Sequence, residues 1–167
     1  QPLSDARGFF ARTVCRKAFA EHGLNADFVQ QNVSFNNARG ILRGMHYQAA
    51  PHEEEKLVRV TTGAIWDVIL DLRPGSATYR QWFSVELSAE NRLALYIPKG
   101  VAHGFQTLSD TAEVAYQMTE FYTPGAERGI LWSDSSIRIA WPIPDPIVSA
   151  RDQSHPAWVH LFGEQHD

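Results

Sequence analysis

Short segments in which apolar and polar residues alternate recur along the chain and predict β-strands. In WFSVELS, Phe83, Val85 and Leu87 alternate with polar residues, a pattern typical of a strand that buries one face. The same alternation in AIWDVILDL places Asp67 and Asp71 on a polar face, opposite apolar side chains. We predict strands over residues 8–14, 28–35, 41–48, 56–62, 64–72, 82–88, 92–97, 103–108 and 112–118.

Turn residues separate these segments and indicate how the chain is arranged. Residues Arg16–His22 have helical spacing and end at Gly23, so we predict a short helix there, with a helical turn near Ser149–Asp152. The run NNARG at residues 36–40 predicts a hairpin loop between its flanking strands. Because no strand–helix–strand rhythm appears, we expect one all-β domain over residues 1–167, an antiparallel sandwich or barrel with one or two short peripheral helices.

Composition narrows the class of protein. The 167 residues carry a net charge of -4 and one cysteine, Cys15. This charge argues against a nucleic-acid partner, whose binders usually present a basic face, and one cysteine excludes an internal disulfide and a cysteine-rich metal site. The longest apolar runs are far shorter than a membrane span. We therefore expect a cytoplasmic enzyme with no membrane segment and no export signal.

The candidate chemistry is concentrated between residues 39 and 59, where Arg43, His46 and Lys56 lie close together. A second imidazole, His103, and a phenol, Tyr116, follow on predicted strands. Each could be an ordinary structural residue, but ionisable side chains that point into a small β-barrel are costly unless they are paired or used. We expect these residues to line one pocket, in which an anion is held while a proton is moved.

Several local features leave alternatives open. Strict alternation puts Arg43 and Met45 on one face of their strand and His46 on the other, unless a bulge intervenes. The run Glu53–Glu55 favours a solvated loop. Arg7 is either a surface arginine or an arginine whose guanidinium binds a phosphate through two N–H groups. A metal site is a rival chemistry, but two isolated histidines fall short of the three protein ligands of catalytic zinc. A serine or cysteine nucleophile has no matching motif.

A series of motifs covers nearly the whole chain: DARGFFART, FVQQNVSF, ILRGMHYQ, EKLVRV, GAIWDVILDLRPGSATYRQW, LYIPKGVAHGF, VAYQMTEFYTPGAERGILWSD and SARD. In this order and spacing the series resembles the dTDP-4-dehydrorhamnose 3,5-epimerase family. The resemblance implies a cupin-like double-stranded β-helix, also called a jelly-roll barrel. It also implies a homodimeric enzyme without a metal or other cofactor, which acts on a nucleotide-linked 4-keto-6-deoxyhexose in bacterial deoxysugar synthesis.

The resemblance implies a role for each site residue. His46 would be the general base, Asp152 the carboxylate that orients it, and Tyr116 the acid that returns a proton to the other face of the sugar. Arg7 would reach the nucleotide of a neighbouring subunit. The remaining implied substrate contacts are Arg12, Gln30, Asn32, Arg43, Lys56, His103 and Tyr122.

These residue types suit the implied reaction. A proton on a carbon next to a ketone becomes removable when fixed positive charge meets the enolate oxygen. Imidazole accepts such a proton near neutral pH, and inversion needs a donor such as a phenol on the opposite face. No cofactor is required, because the carbonyl group is already in the substrate.

One departure from the family bears on the substrate. The family pattern FFxE has a glutamate near the nucleobase, whereas this chain has FFAR, with Arg12 at that position. A donor there would suit cytosine, so a CDP-linked sugar is an alternative to a dTDP-linked one. An epimerase that inverts C3 alone, a 3,4-ketoisomerase of related fold and a non-catalytic sugar-binding cupin also stay open.

Overall fold

The protein, seen in a computed structural model that describes residues 2–163, consists mainly of β-strands. The strands are β1 (Leu3–Asp5), β2 (Gly8–Phe10), β3 (Gln30–Asn36), β4 (Ile41–Gln48), β5 (Lys56–Thr62), β6 (Ala64–Asp71), β7 (Trp82–Ser88), β8 (Ala94–Ile97), β9 (Val101–Thr107), β10 (Ala112–Met118), β11 (Glu127–Gly129) and β12 (Ile147–Val148). The helices are α1 (Arg16–Glu21), α2 (Ala150–Gln153) and α3 (Trp158–Phe162). The all-β prediction with short peripheral helices is confirmed. Within the described residues, no helix has the length and apolar character needed to cross a membrane.

Two sheets enclose the core. The smaller has the strand order β3-β10-β5-β8, and the larger has the order β11-β4-β9-β6-β7, with β12 paired in parallel to β4. Strands β1 and β2 form a separate hairpin, in which β2 is shorter than the strand predicted over residues 8–14. Val58 and Val114 of the smaller sheet pack against Ile65, Leu87 and Phe105 of the larger one. The sheets therefore bury apolar residues between them, as in a jelly roll.

The larger sheet is buried on its other face as well. Trp158 of α3 and Ile137 pack there against Val68 and Leu70 of β6. The prediction that β6 is half-buried, with a solvated face carrying Asp67, is therefore wrong. The C-terminal segment covers the apolar face, and the face that carries Asp67 points between the sheets, where this aspartate is fully buried.

The predicted hairpin between β3 and β4 is also wrong. These strands lie in different sheets, β3 beside β10 and β4 beside β9. The connecting loop is held by the end of β9, because Gly40 donates its backbone N–H to the carbonyl of Thr107 and the Thr107 hydroxyl donates to the carbonyl of Ala38. The turn residues reverse the chain, but these long-range bonds decide the sheet that it enters.

Candidate active site

His46 and Asp152 form a hydrogen-bonded pair although 106 positions separate them in the chain. Nε2 of His46 lies 2.7 Å from Oδ1 of Asp152. His46 is on β4, and Asp152 is in the first turn of α2, where its backbone N–H donates to the Ser149 hydroxyl that caps the helix. With Nε2 bonded to the carboxylate, Nδ1 is the ring nitrogen left to accept a proton.

The surroundings of Asp152 favour its ionised form. Burial alone would raise the pKa of this carboxyl group, but the hydrogen bond with His46 and the backbone N–H of Gly44 outweigh it, so that the pKa lies below its ordinary value. An ionised Asp152 fixes the His46 tautomer that carries a proton on Nε2 and stabilises the ring once Nδ1 is protonated.

A cavity of about 150 Å³ opens between the two sheets beside His46. Of the residues predicted from the sequence, Arg43, His46, Lys56, His103 and Tyr116 line it. A second cavity of about 170 Å³ shares His46, Lys56 and Tyr116 with the first and is also lined by Asn32 and Tyr122. The two cavities, which share three side chains, form the candidate site.

A β-bulge brings Arg43 and His46 to the same cavity. Arg43 lies opposite Phe105 of β9 and His46 lies opposite His103, so β4 has one residue more than β9 between these two pairs. The extra residue shifts the alternation by one position and turns both side chains inward. The bulge is the exception to strict alternation that the sequence left open.

Each basic side chain of the cavity is held by a fixed partner. These partners set the direction of the side chains, and the ammonium of Lys56 and the guanidinium of Arg43 keep further N–H donors for an anion in the cavity. The pairs are Lys56 Nζ with Glu54 Oε1 at 2.8 Å, His103 Nε2 with Asp67 Oδ1 at 2.7 Å, and Arg43 Nε with Asn36 Oδ1 at 2.8 Å.

The run Glu53–Glu55 is not the solvated loop that was expected. Glu54 is buried, with 5% of its side chain exposed, and it lines the second cavity. Burial of this carboxylate is tolerated because Lys56, two positions further on, neutralises it. A charge run therefore contains a residue of the site.

The outer part of the second cavity carries a small polar network. Oε1 of Gln30 accepts the backbone N–H of Tyr122, and the Tyr122 hydroxyl donates to Oε2 of Glu127 at 2.9 Å. This hydrogen bond raises the pKa of Tyr122. Glu127 also pairs with Arg151 of α2, the residue before Asp152. The network connects β3, β11 and α2 around the entrance.

Three of the predicted substrate contacts do not line these cavities: Gln30, which contacts Tyr122 beside the second one, Arg7 and Arg12. Arg7 is at the turn between β1 and β2, where it forms an ion pair with Asp5 and its side chain is 90% exposed. Arg12 lines a separate cavity of about 360 Å³ beside the outer face of the smaller sheet, together with Arg59 and Arg92. Within one chain, neither arginine lines the cavities that contain His46.

A second histidine stands behind the His46–Asp152 pair. Nε2 of His155 lies 3.4 Å from Oδ1 of Asp152. One potential ligand atom of each of His46, Asp152 and His155 lies within 4.8 Å of the others, which is a spacing that a metal site also shows. Two of those residues are already hydrogen-bonded to each other at 2.7 Å. That the enzyme needs no metal stays a prediction from the sequence.

Among the residues of the site and its support that sequence reasoning missed are Glu54, Asp67, Glu127, Arg151 and His155. Asp67 had a usable signal, because a carboxylate on a long apolar strand needs a partner. Glu54, Arg151 and His155 lie within three positions of Lys56 or Asp152, but their residue types did not show that they support these side chains. Glu127 reaches the site only through the pairing of β11 with β4.

Comparison with known proteins places this geometry in a family. The family model described as dTDP-4-dehydrorhamnose 3,5-epimerase matches residues 1–160. A relative from Shigella flexneri, named dTDP-4-dehydrorhamnose 3,5-epimerase, is 48% identical over 151 residues, which are 90% of this chain and 83% of the relative.

Solved structures agree with this match. The dTDP-6-deoxy-D-glucose-3,5-epimerase from Legionella pneumophila, in complex with dTDP-4-keto-L-rhamnose, is 39% identical, with a TM-score of 0.89 over 97% of this chain and 86% of that one. A 3'-monoepimerase from Streptomyces bikiniensis, in complex with dTDP-quinovose, is 33% identical, with a TM-score of 0.85 over 93% and 80% of the two chains. The predicted cupin-like fold is confirmed, and the chain belongs to the dTDP-4-dehydrorhamnose 3,5-epimerase family.

Proposed function

We propose that the protein is an isomerase that inverts C3 and C5 of a dTDP-linked 4-keto-6-deoxyhexose. The observation that carries the proposal is the His46–Asp152 pair, with its 2.7 Å contact, beside a cavity lined by Arg43, Lys56 and His103. The family, and the dTDP-4-keto-L-rhamnose bound to the Legionella relative, support the choice of substrate.

In the proposed reaction His46 is the base. Nδ1 takes the proton from the carbon next to the ketone, and Asp152 stabilises the imidazolium that forms. The enolate oxygen receives hydrogen bonds from Lys56 and Arg43, whose partners Glu54 and Asn36 hold them in place before the substrate arrives. Preorganised charge of this kind lowers the barrier, because nothing has to reorient as the oxyanion develops.

Inversion requires a proton from the face opposite His46, and Tyr116 is the proposed donor. Tyr116 is on β10 of the smaller sheet, His46 is on β4 of the larger one, and both line both cavities. A sugar held between the sheets would thus meet the base on one side and the phenol on the other. Asn32, Gln30 and Tyr122 are proposed to contact the rest of the substrate.

Inversion at C3 alone is the second candidate, because the Streptomyces bikiniensis relative is a 3'-monoepimerase of the same fold. Incubation of dTDP-4-keto-6-deoxyglucose with the protein in D₂O, followed by NMR, separates the two. We expect deuterium at both C3 and C5. Label at C3 alone would support the monoepimerase. Label at C4, with the ketone moved to C3, would support a ketoisomerase, and an unlabelled sugar that still binds would support a sugar-binding protein.

We also propose a homodimer in which Arg7 of one subunit reaches the site of the other. Leu3 and Phe10 on the β1–β2 hairpin are 72% and 68% exposed, and Val33 and Phe35 on the edge strand β3 are 57% and 58% exposed. Exposed apolar residues on a sheet edge commonly mark an interface. The high exposure of Arg7 and its place outside the cavity of its own chain support this arrangement.

Arg12 is proposed to contact the nucleobase, where its guanidinium would favour an acceptor on the ring. Titration of the protein with dTDP and with CDP, followed by calorimetry, tests this role. With the donor of Arg12 in contact, we expect CDP to bind nearly as tightly as dTDP, the nucleotide of the proposed substrate. Arg12→Glu should shift the preference further toward dTDP by about tenfold, the effect of one hydrogen bond to a charged group. Clearly tighter binding of dTDP than of CDP by the unaltered protein would remove this role for Arg12.

A further inference from the structure

His155 lies directly behind the His46–Asp152 pair, and the reaction proposed above makes no use of it. Its ring packs edge-to-face on that of His46, with 5.5 Å between the ring centroids and 81° between the planes. Its imidazole also rests on the backbone of Gly129, where a Cβ atom would come within 2.3 Å of the ring. Only 12% of the side chain is exposed, so its polar atoms need partners inside the protein.

One of those polar atoms has no hydrogen bond. Nε2 of His155 is buried and unpartnered among residues 2–163, yet it lies 3.4 Å from Oδ1 of Asp152, the same oxygen that His46 contacts. This distance is within hydrogen-bonding range, but the geometry of the contact does not meet the criteria for a hydrogen bond. One carboxylate oxygen therefore faces two imidazole rings.

The groups around His155 favour its neutral form. Burial is the main reason that the pKa of His155 lies below its ordinary value. Positive charge on His46 and Arg151 lowers this pKa further, and the negative charge of Asp152 raises it by less than these effects lower it. Glu127, the remaining charged neighbour at this end of the site, is paired with Arg151. A neutral imidazole with its proton on Nε2 can donate to a carboxylate without adding charge to the site.

We propose that neutral His155 is a positioning residue that donates Nε2–H to Asp152 and so shares this carboxylate with His46. A carboxylate that already accepts a second hydrogen bond stabilises an imidazolium less strongly. His155 thereby lowers the proton affinity of His46, which lets the base release its proton between turnovers. The role of His155 in turnover rests on the proposed function, whereas the effect of His155 on the titration of His46 does not.

Two variants distinguish the effect of the His155 N–H donor from the effect of its ring packing. His155→Phe keeps a flat ring on Gly129 and removes the donor, and His155→Gln restores an N–H close to the position of Nε2. We expect the midpoint of the His46 titration, followed by NMR of the ¹⁵N-histidine-labelled, ligand-free protein, to rise by about 0.5 to 1 pH unit in the Phe variant. In the Gln variant it should stay close to that of the unaltered protein. The acid limb of kcat/KM should move in the same way, with KM for the sugar nucleotide unchanged.

Equal midpoints in the unaltered protein and the Phe variant would overturn the proposal, as would a Gln variant that shifts as far as the Phe variant. If His155→Phe does not fold, the nitrogen shifts of the unaltered protein decide, because the proposal requires a neutral His155 with its proton on Nε2 at pH 7. A proton on Nδ1 would refute it. A protein that binds the nucleotide sugar without turning it over would refute the proposed function. The titration of His46 would still test the proposed role of His155.

Discussion

Tyr116 shows how far a single residue type can be interpreted. A tyrosine within AEVAYQM is ordinary for an amphipathic strand, so the strand pattern alone does not favour a catalytic role, and only the family resemblance implied one. The structure adds that its side chain lines the same two cavities as His46. The basic residues were easier to predict, because charge on an inward-facing strand requires an explanation. Their partners Glu54 and Asp67 were not, since a carboxylate in a sequence does not reveal which cation it meets.

Tyr116→Phe should separate exchange from inversion. His46 can still remove a proton and return deuterium from solvent to the same face, so label should enter the sugar while its configuration is retained. The rate of inversion should fall by about a hundredfold or more, the usual contribution of a positioned proton donor. The measurement is NMR of the sugar in D₂O, with Tyr79→Phe as the control, because Tyr79 packs against Trp158 and lines neither cavity. Loss of both exchange and inversion in Tyr116→Phe would contradict its role as the donor.

Strand β4 is the element that the sequence described least completely. Its length and position follow from its apolar residues, but its bulge depends on the close approach of two backbones. Gly44 has a φ of +126°, and a Cβ atom on it would lie 2.6 Å from Cα of Gly104 on β9. Only glycine fits this crossing. The bulge therefore depends on a contact between residues 60 positions apart, which no local pattern contains.

Gly44→Ala should unfold more easily and lose activity. A positive φ alone costs a non-glycine residue about 1–3 kcal/mol, and the contact with Gly104 adds to this because backbone cannot yield as a side chain can. Urea unfolding measures the loss of stability, and deuterium exchange measures the misplacement of His46. Gly75→Ala is the matched control, since its φ of +83° carries the strain while no atom lies within 4 Å of the added Cβ. Equal losses in both variants would show that the crossing does not hold the bulge.

At the scale of the whole molecule, one chain contains the proposed base and acid but not every proposed substrate contact. The alternation of strands predicted the two-sheet architecture, and the motif order predicted the family. The proline-rich tail from Trp141 was expected to wrap the outside, but the sequence could not reveal which sheet it covers, because Trp158 meets Val68 and Leu70 only in the folded chain. It also could not place Arg7, which lies on an exposed hairpin whose partner is proposed to be a second subunit.

Mixing two inactive variants tests that arrangement. Arg7→Ala and His46→Ala should each be nearly inactive, the first through weaker substrate binding and the second through loss of the base. In a mixed dimer one site combines an intact His46 with the intact Arg7 of the other subunit. Random re-association should therefore restore about a quarter of the unaltered activity. Mixtures that regain nothing, although mixed dimers form, would show that Arg7 does not act across an interface.

The most direct test of the central claim is exchange at C3 by His46→Ala. In D₂O, with dTDP-4-keto-6-deoxyglucose as substrate, the unaltered protein should place deuterium at C3. His46→Ala should lose this exchange by at least about a hundredfold, since the general base contributes that much, while dTDP affinity measured by calorimetry stays the same. Exchange by His46→Ala at the unaltered rate would contradict the account, because the base would then have to be another residue.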